Sequence, residues 1–140
     1  MYKHKVQYYE TDKMGITHHS NYIRWMEEAR IAFLDELGYS FAKLEQEGII
    51  SPVVSVACQY KKPTTFDDVV DIEVTVSEFN GVKLTLDYKM FLADVLVCDA
   101  QSVHCFVDVN GRPIRLKRDY PDFYELLLKK IDGTSREKID

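Results

Sequence analysis

The spacing of hydrophobic positions indicates a helix over residues 20–37. Apolar side chains recur there at intervals of three and four residues, which places them along one helical face. Further apolar residues flank that face, so we expect other elements to enclose the helix. Ser20 or Asn21 is the expected N-cap, and Gly38 is the expected stop. The apolar face consists of Tyr22, Met26, Ala29, Phe33 and Leu37.

In the second half of the chain the hydrophobic period changes to two, which is typical of β-strands. Apolar and polar residues alternate over 70–77 and over 82–90, and Asn80-Gly81 between them is a strong hairpin signal. A second turn is expected at Asn110-Gly111. The other predicted elements are strands over Val6–Tyr9, 52–60 and 95–108, a helix over Phe41–Glu47, and a helix capped by Asp119 that runs to about Lys130.

These elements predict an α+β fold. One long apolar helix and a set of consecutive antiparallel strands bury their apolar faces when they form two layers. We therefore expect a sheet that curls around the helix. At 140 residues the chain is expected to be a single domain over residues 1–132, followed by a polar tail over residues 133–140.

Composition and charge narrow the classes of function. The formal net charge of −5 argues against a nucleic-acid partner, which a basic face would contact. No apolar run approaches the ~20 residues of a membrane helix, and no signal-peptide pattern follows Met1. We expect a cytoplasmic protein without a membrane span. The three cysteines form no CxxC pair, and the histidines show no ligand spacing, so we expect no disulfide framework and no metal site.

The residues that suggest chemistry precede the long helix. Asp12, Gly15 and His19 lie in a short loop that leads into Asn21 and Tyr22 at the helix start. Backbone N–H groups at a helix N-terminus are free to stabilise an oxyanion, and a nearby carboxylate can act as nucleophile or general base. From the residues alone, Asp12 fits an ordinary turn residue and His19 fits an ordinary surface histidine, so both interpretations stay open.

The same stretch resembles a known enzyme family. The pattern Tyr9-x-Thr11-Asp12-x-x-Gly15-Ile16-x-x-His19-x-Asn21-Tyr22 is similar to the opening signature of the hotdog-fold acyl-CoA thioesterases. The resemblance is to the 4-hydroxybenzoyl-CoA thioesterase-like branch, including the Tol–Pal-cluster type, and it covers about residues 3–125. It implies a hotdog fold, in which a curved antiparallel sheet wraps a long central helix.

The resemblance also implies roles for individual residues. Asp12 would attack the thioester carbonyl or activate a water molecule, and the backbone N–H of His19 would polarise that carbonyl. The substrate would be an acyl-CoA, with an acyl carrier protein thioester as a second possibility, and no cofactor is implied. The implied substrate-binding residues are Gly15, Asn21 and Tyr22, together with Lys61 and Lys62, whose charges suit the phosphates of coenzyme A.

Other functions remain open at this point. The main alternative is a hotdog protein that binds acyl-CoA without hydrolysing it. A hotdog dehydratase is a weaker alternative because its His-centred motif is absent, and an unrelated α+β ligand-binding dimer is the fallback. We expect a homodimer or homotetramer, because family members carry active sites at subunit interfaces and the predicted sheet leaves an edge strand to cover.

Overall fold

The computed structural model describes the backbone of residues 1–139 and the side chains of residues 1–131. A curved five-stranded antiparallel sheet packs around one long helix. No helix among the described residues is long and apolar enough to cross a membrane. In chain order the elements are β1 (Tyr2–Lys5), a 3-10 helix (Tyr8–Glu10), α1 (Ser20–Leu37), α2 (Phe41–Gln46), β2 (Val53–Tyr60), β3 (Val69–Phe79), β4 (Lys83–Leu92), β5 (Val95–Cys105), α3 (Leu116–Asp119) and α4 (Pro121–Ile139).

The strands form one sheet in the order β1-β3-β4-β5-β2, so β1 and β2 are its two edges. The predicted hairpin at Asn80-Gly81 is confirmed. Asn80 Oδ1 accepts hydrogen bonds from the N–H groups of Val82 and Lys83 at 2.9 and 2.7 Å, and Gly81 has a φ of 87° that favours glycine. The turn therefore fixes the register in which β3 and β4 pair.

Helix α1 forms the centre of the core. All five residues of the predicted apolar face are buried, and Trp25 is fully buried beside them. Gly38 ends the helix in the left-handed conformation, as predicted. The expected cap was wrong: Ser20 and Asn21 belong to the first helical turn, and His18 Nδ1 accepts the Ser20 N–H instead.

The predicted strand over Val6–Tyr9 was also wrong. The first strand is β1, four residues earlier, where it pairs antiparallel with β3. The chain leaves the sheet after Val6 and turns into the 3-10 helix. Its Gln7 N–H donates to the buried carboxylate of Glu10, which makes the turn more favourable than continued pairing.

The C-terminal region differs from the prediction in three respects. Strand β5 ends at Cys105 rather than at residue 108, and Val107 forms only isolated bridges. Asp119 ends the unpredicted helix α3 instead of capping α4. Helix α4 continues to Ile139 rather than ending near Lys130, and residue 140 lies outside the described residues. The division into a domain over residues 1–132 and a tail over residues 133–140 stays a prediction.

Candidate active site

Asp12 begins a tight turn in the loop that precedes α1. Its carbonyl accepts the Gly15 N–H at 2.9 Å, and its carboxylate Oδ1 accepts the Met14 N–H at 2.8 Å. Gly15 has a φ of 82°, a conformation that glycine adopts without strain. The second carboxylate oxygen of Asp12 has no hydrogen-bond partner among the described residues. Asp12 is thus both a turn residue and the holder of an available carboxylate oxygen.

The start of α1 provides free backbone N–H groups. The His19 N–H has no acceptor within the described part of the chain, as is usual in a first helical turn. The neighbouring His18 helps to hold the helix start in place. Its ring forms a hydrogen bond with the Ser20 hydroxyl at 2.9 Å and stacks on the His19 ring, with 4.3 Å between the centroids. A positive dipole end with an unused N–H therefore lies close to the Asp12 turn.

A crevice of about 420 Å³ brings together residues that are distant in sequence. Its lining includes Asp12 and His19 from the loop before α1, and Lys61 and Lys62 from the segment after β2. Both lysine side chains are exposed, while the backbone N–H groups of Lys61 and Lys62 donate to the Val97 carbonyl at 2.8 and 3.2 Å. The crevice thus combines a carboxylate, a helix N-terminus and two cations.

The remaining predicted site residues lie beside this crevice. Tyr22 lines it, although its ring is almost fully buried. Gly15 belongs to the Asp12 turn. The Asn21 side chain is buried and does not face the crevice, since its Nδ2 donates to the Glu10 carbonyl at 3.0 Å and to the His18 carbonyl at 3.3 Å. Asn21 therefore ties the loop to α1.

Comparison with known proteins identifies the family. Residues 6–131 match the thioesterase-like superfamily. The chain belongs to the thioesterase-like superfamily. It is a thioester hydrolase with the hotdog fold, as the resemblance implied.

Three relatives of this thioesterase span most of its length. A proposed esterase of Aquifex aeolicus is 37% identical over 85% of this chain and 92% of its own. The proposed acyl-CoA thioesterase YneP of Bacillus subtilis is 35% identical over 86% of this chain and 88% of its own. The DHNA-CoA thioesterase structure from Staphylococcus aureus is 31% identical, with a TM-score of 0.91 over 98% of this chain and 93% of its own.

Glu10 anchors the loop before α1 of this thioesterase. The sequence did not single it out as a site residue. This carboxylate is 4% exposed and accepts hydrogen bonds from Trp25 Nε1 at 2.7 Å and Gln7 N–H at 2.8 Å. His4 Nε2 lies 2.8 Å from it. Burial raises the pKa of Glu10, but these hydrogen bonds outweigh that effect and lower it. Glu10 therefore stays ionised and holds the loop against α1.

Two further groups shape the crevice of the thioesterase. The Tyr60 hydroxyl donates to the His19 carbonyl at 3.2 Å, and burial together with the Cys58 thiol raises the pKa of Tyr60 to about 12. The buried Thr64 hydroxyl lies 2.7 Å from the Thr17 hydroxyl and 2.9 Å from the Tyr22 hydroxyl. These contacts hold the lysine segment against the loop. Among the described residues, no group of three or more potential ligands could hold a metal ion.

Proposed function

We propose that this enzyme hydrolyses acyl-CoA thioesters to a carboxylic acid and free coenzyme A. The observation that carries the proposal is the shared crevice, which is lined both by Asp12, with its available carboxylate oxygen, and by His19, with its unused N–H. The names of its relatives YneP and the DHNA-CoA thioesterase agree with an acyl-CoA substrate.

In the proposed mechanism the thioester carbonyl lies between Asp12 and the start of α1. The carboxylate attacks the carbonyl carbon, or it removes a proton from a water molecule that attacks there; either attack gives a tetrahedral intermediate. The His19 N–H stabilises the resulting oxyanion. The thiolate of coenzyme A then leaves without a strong general acid, because a thiolate is a good leaving group. The water route gives the carboxylic acid directly, whereas the carboxylate route leaves an anhydride on Asp12 that a water molecule hydrolyses to release the acid and restore the carboxylate.

The other predicted contacts complete the proposal. Lys61 and Lys62 bind phosphates of coenzyme A, because both lysines are exposed and line the same crevice as Asp12. Gly15 keeps the turn open for the substrate, Tyr22 forms the apolar wall, and Asn21 contributes by fixing the helix start.

We also propose that the protein is a homodimer or homotetramer. Strand β2 is a sheet edge that exposes the side chains of Val53, Val54 and Val56. Pairing of this edge with its twin would satisfy the free backbone groups and cover the valines. The cytoplasmic location and the acyl carrier protein alternative stay predictions from the sequence.

The experiment is a thiol-release assay with short, medium, long and aromatic acyl-CoAs. We expect turnover of at least one class well above the background measured without enzyme. Folded protein that hydrolyses none of them would refute the proposal. Calorimetric binding of acyl-CoA without turnover would instead favour the non-catalytic alternative.

A further inference from the structure

A second cavity of about 60 Å³, with a largely apolar lining that includes several polar side chains, lies between α1 and the inner face of the sheet, away from the Asp12 crevice. Such a volume accommodates a group of the size of a carboxylate or a few water molecules, since a single water needs about 10–15 Å³ of cavity space. Its polar lining comes from Arg30 on α1, Tyr88 on β4, and Ser102 and His104 on β5. Polar groups are unusual at this depth of a hydrophobic core.

Three of these residues form a hydrogen-bonded chain. The Ser102 hydroxyl lies 2.7 Å from the Tyr88 hydroxyl and 2.7 Å from His104 Nε2, while His104 Nδ1 is buried without a partner. If Tyr88 donates to Ser102 and Ser102 donates to His104, every hydroxyl hydrogen is used and only Nδ1–H stays unpaired. The opposite direction would also leave the buried Tyr88 hydrogen unpaired. The first arrangement is therefore favoured, and it leaves His104 with an unused N–H.

Arg30 supplies a charge to the same cavity. The residue is 8% exposed, and no ion pair to it forms among the described side chains. Its guanidinium carbon lies 5.7 Å from the centre of the Phe41 ring, a contact that does not neutralise the charge. Glu27 also lines the cavity but is itself exposed. A largely buried cation beside an unused N–H is a favourable place for an anion with hydrogen-bond acceptors.

The cavity lies on the same side of α1 as the start of the catalytic crevice. His19, Ile23 and Arg30 fall on one helical stripe, and a rise of 1.5 Å per residue separates the first from the last by about 16 Å. Between these two positions Met26 Sδ of α1 packs against Cys58 Sγ of β2 at 3.7 Å. In a single copy of the chain the outer seam between α1 and β2 is open, because Ile23 is 45% exposed and Val56 of β2 is 37% exposed. In the proposed oligomer the second copy would cover this seam from the outside.

We infer that this cavity receives the free carboxylate at the far end of the acyl group, so that the preferred substrates are CoA thioesters of dicarboxylic acids. The inference rests on the proposed function. The acyl chain follows the outer seam from the thioester near His19 to Arg30. Long helical side chains lean toward the helix N-terminus, so the span is shorter than the rise between the two residues. A chain that advances about 1.2 Å per bond then needs roughly ten carbons.

The test compares length-matched pairs of acyl-CoAs that end in a carboxylate or in a methyl group, from six to fourteen carbons. We expect the wild type to favour the carboxylate member near ten carbons by roughly ten- to a hundredfold in kcat/KM, the usual range for a hydrogen bond to a buried charge. Arg30→Met should abolish this preference. Arg30→Lys should keep part of it, and Arg24→Met, at an exposed position of the same helix, should leave it unchanged.

A second readout does not depend on turnover. Free ten-carbon dicarboxylate should shift the His104 imidazole resonances in NMR spectra of the wild type. The same concentration should not shift them in Arg30→Met. If Arg30→Met does not fold, Arg30→Lys takes its place in this comparison. If no thioester is hydrolysed while the shift occurs, the proposed function fails and the carboxylate site stands. Equal hydrolysis within every pair and no shift would overturn the inference.

Two other results would also overturn it. A preference for hydroxybenzoyl-CoA over every dicarboxylic substrate, if it depends on Arg30, would show that the cavity binds a phenol group instead of a carboxylate. Dissociation of the oligomer by Arg30→Met, with no change in substrate preference, would show that Arg30 pairs with a carboxylate across a subunit interface.

Discussion

At the scale of single residues, Asp12 carries two functions that one substitution can separate. Asp12→Asn keeps the side-chain oxygen that accepts the Met14 N–H, so the turn should persist, but it removes the charge. We expect turnover to fall by roughly a hundredfold or more, about 3 kcal/mol of transition-state stabilisation, with little change in substrate binding. Steady-state kinetics with the best acyl-CoA measures this.

His19→Ala provides the comparison. The proposed oxyanion contact is the His19 N–H, which the substitution keeps, so the loss of turnover should be much smaller than for Asp12→Asn. Near-wild-type turnover of Asp12→Asn would mean that the carboxylate is purely structural. A loss with His19→Ala as large as with Asp12→Asn would mean that the imidazole itself takes part.

Glu10 is the residue whose replacement should damage the loop most. In Glu10→Gln the amide nitrogen must face one of the donors Trp25 Nε1–H or Gln7 N–H, which leaves a buried donor unsatisfied. We expect a loss of about 1–3 kcal/mol in the free energy of unfolding and a lower kcat. Urea unfolding at pH 7 measures the first effect, and Glu45→Gln, at an exposed position of α2, is the matched control.

The pH dependence of the Glu10 contribution has a defined sign. The pKa of Glu10 is lowered in the folded protein from an ordinary value of 4.5. The ionised group therefore stabilises the fold above about pH 4.5, and this stabilisation disappears as the pH falls through the lower folded pKa. An acid-unfolding midpoint that is the same for the wild type and Glu10→Gln would contradict this role.

At the scale of elements, the contact between α1 and the sheet should make the stability depend on pH through His104. Burial, with a smaller effect of the Arg30 charge, lowers the pKa of His104 from 6.5 to about 4. The unfolded chain then binds more protons between these values, so stability is lost as the pH falls from 6.5 toward 4. Between pH 7 and pH 5 the loss due to His104 should be about 2 kcal/mol.

His104→Gln tests this loss, because glutamine can bond Ser102 but does not titrate. The difference in unfolding free energy between pH 7 and pH 5 should shrink by about 2 kcal/mol relative to the wild type. The exposed His18, replaced in the same way, should leave that difference unchanged. An unaltered difference in His104→Gln would show that the imidazole is protonated in the folded protein.

At the scale of the whole molecule, the valine-rich edge of β2 is the surface where a second copy is expected to pair. Val54→Lys introduces a charge into both copies of that edge, as natural edge strands do to prevent association. We expect light scattering at micromolar concentration to detect a monomer of this variant instead of an oligomer, and we expect thioesterase activity to be lost. The control is Val95→Lys. Val95 is an exposed valine at the first position of β5, outside the β2 edge, so this variant should keep the oligomer. A monomeric wild type would refute the assembly.

The sequence alone determined the features that depend on near neighbours. The helical period of residues 20–37, the Asn80-Gly81 turn and the Gly38 stop are local, because backbone conformation and turn chemistry act over a few residues. The loop signature around Asp12 is also contiguous, so its resemblance to thioesterases could be recognised and the family followed from it.

The tertiary structure decided what depends on distant partners. Strand β1 is Tyr2–Lys5 because β3 pairs there, and the buried state of Glu10 and Arg30 is invisible in a sequence, where charged residues are expected at the surface. The crevice joins residues 12–22 to residues 60–63 only after β2 has paired with β5. Strand pairing and burial are settled by contacts between residues far apart in the chain, which no local pattern encodes.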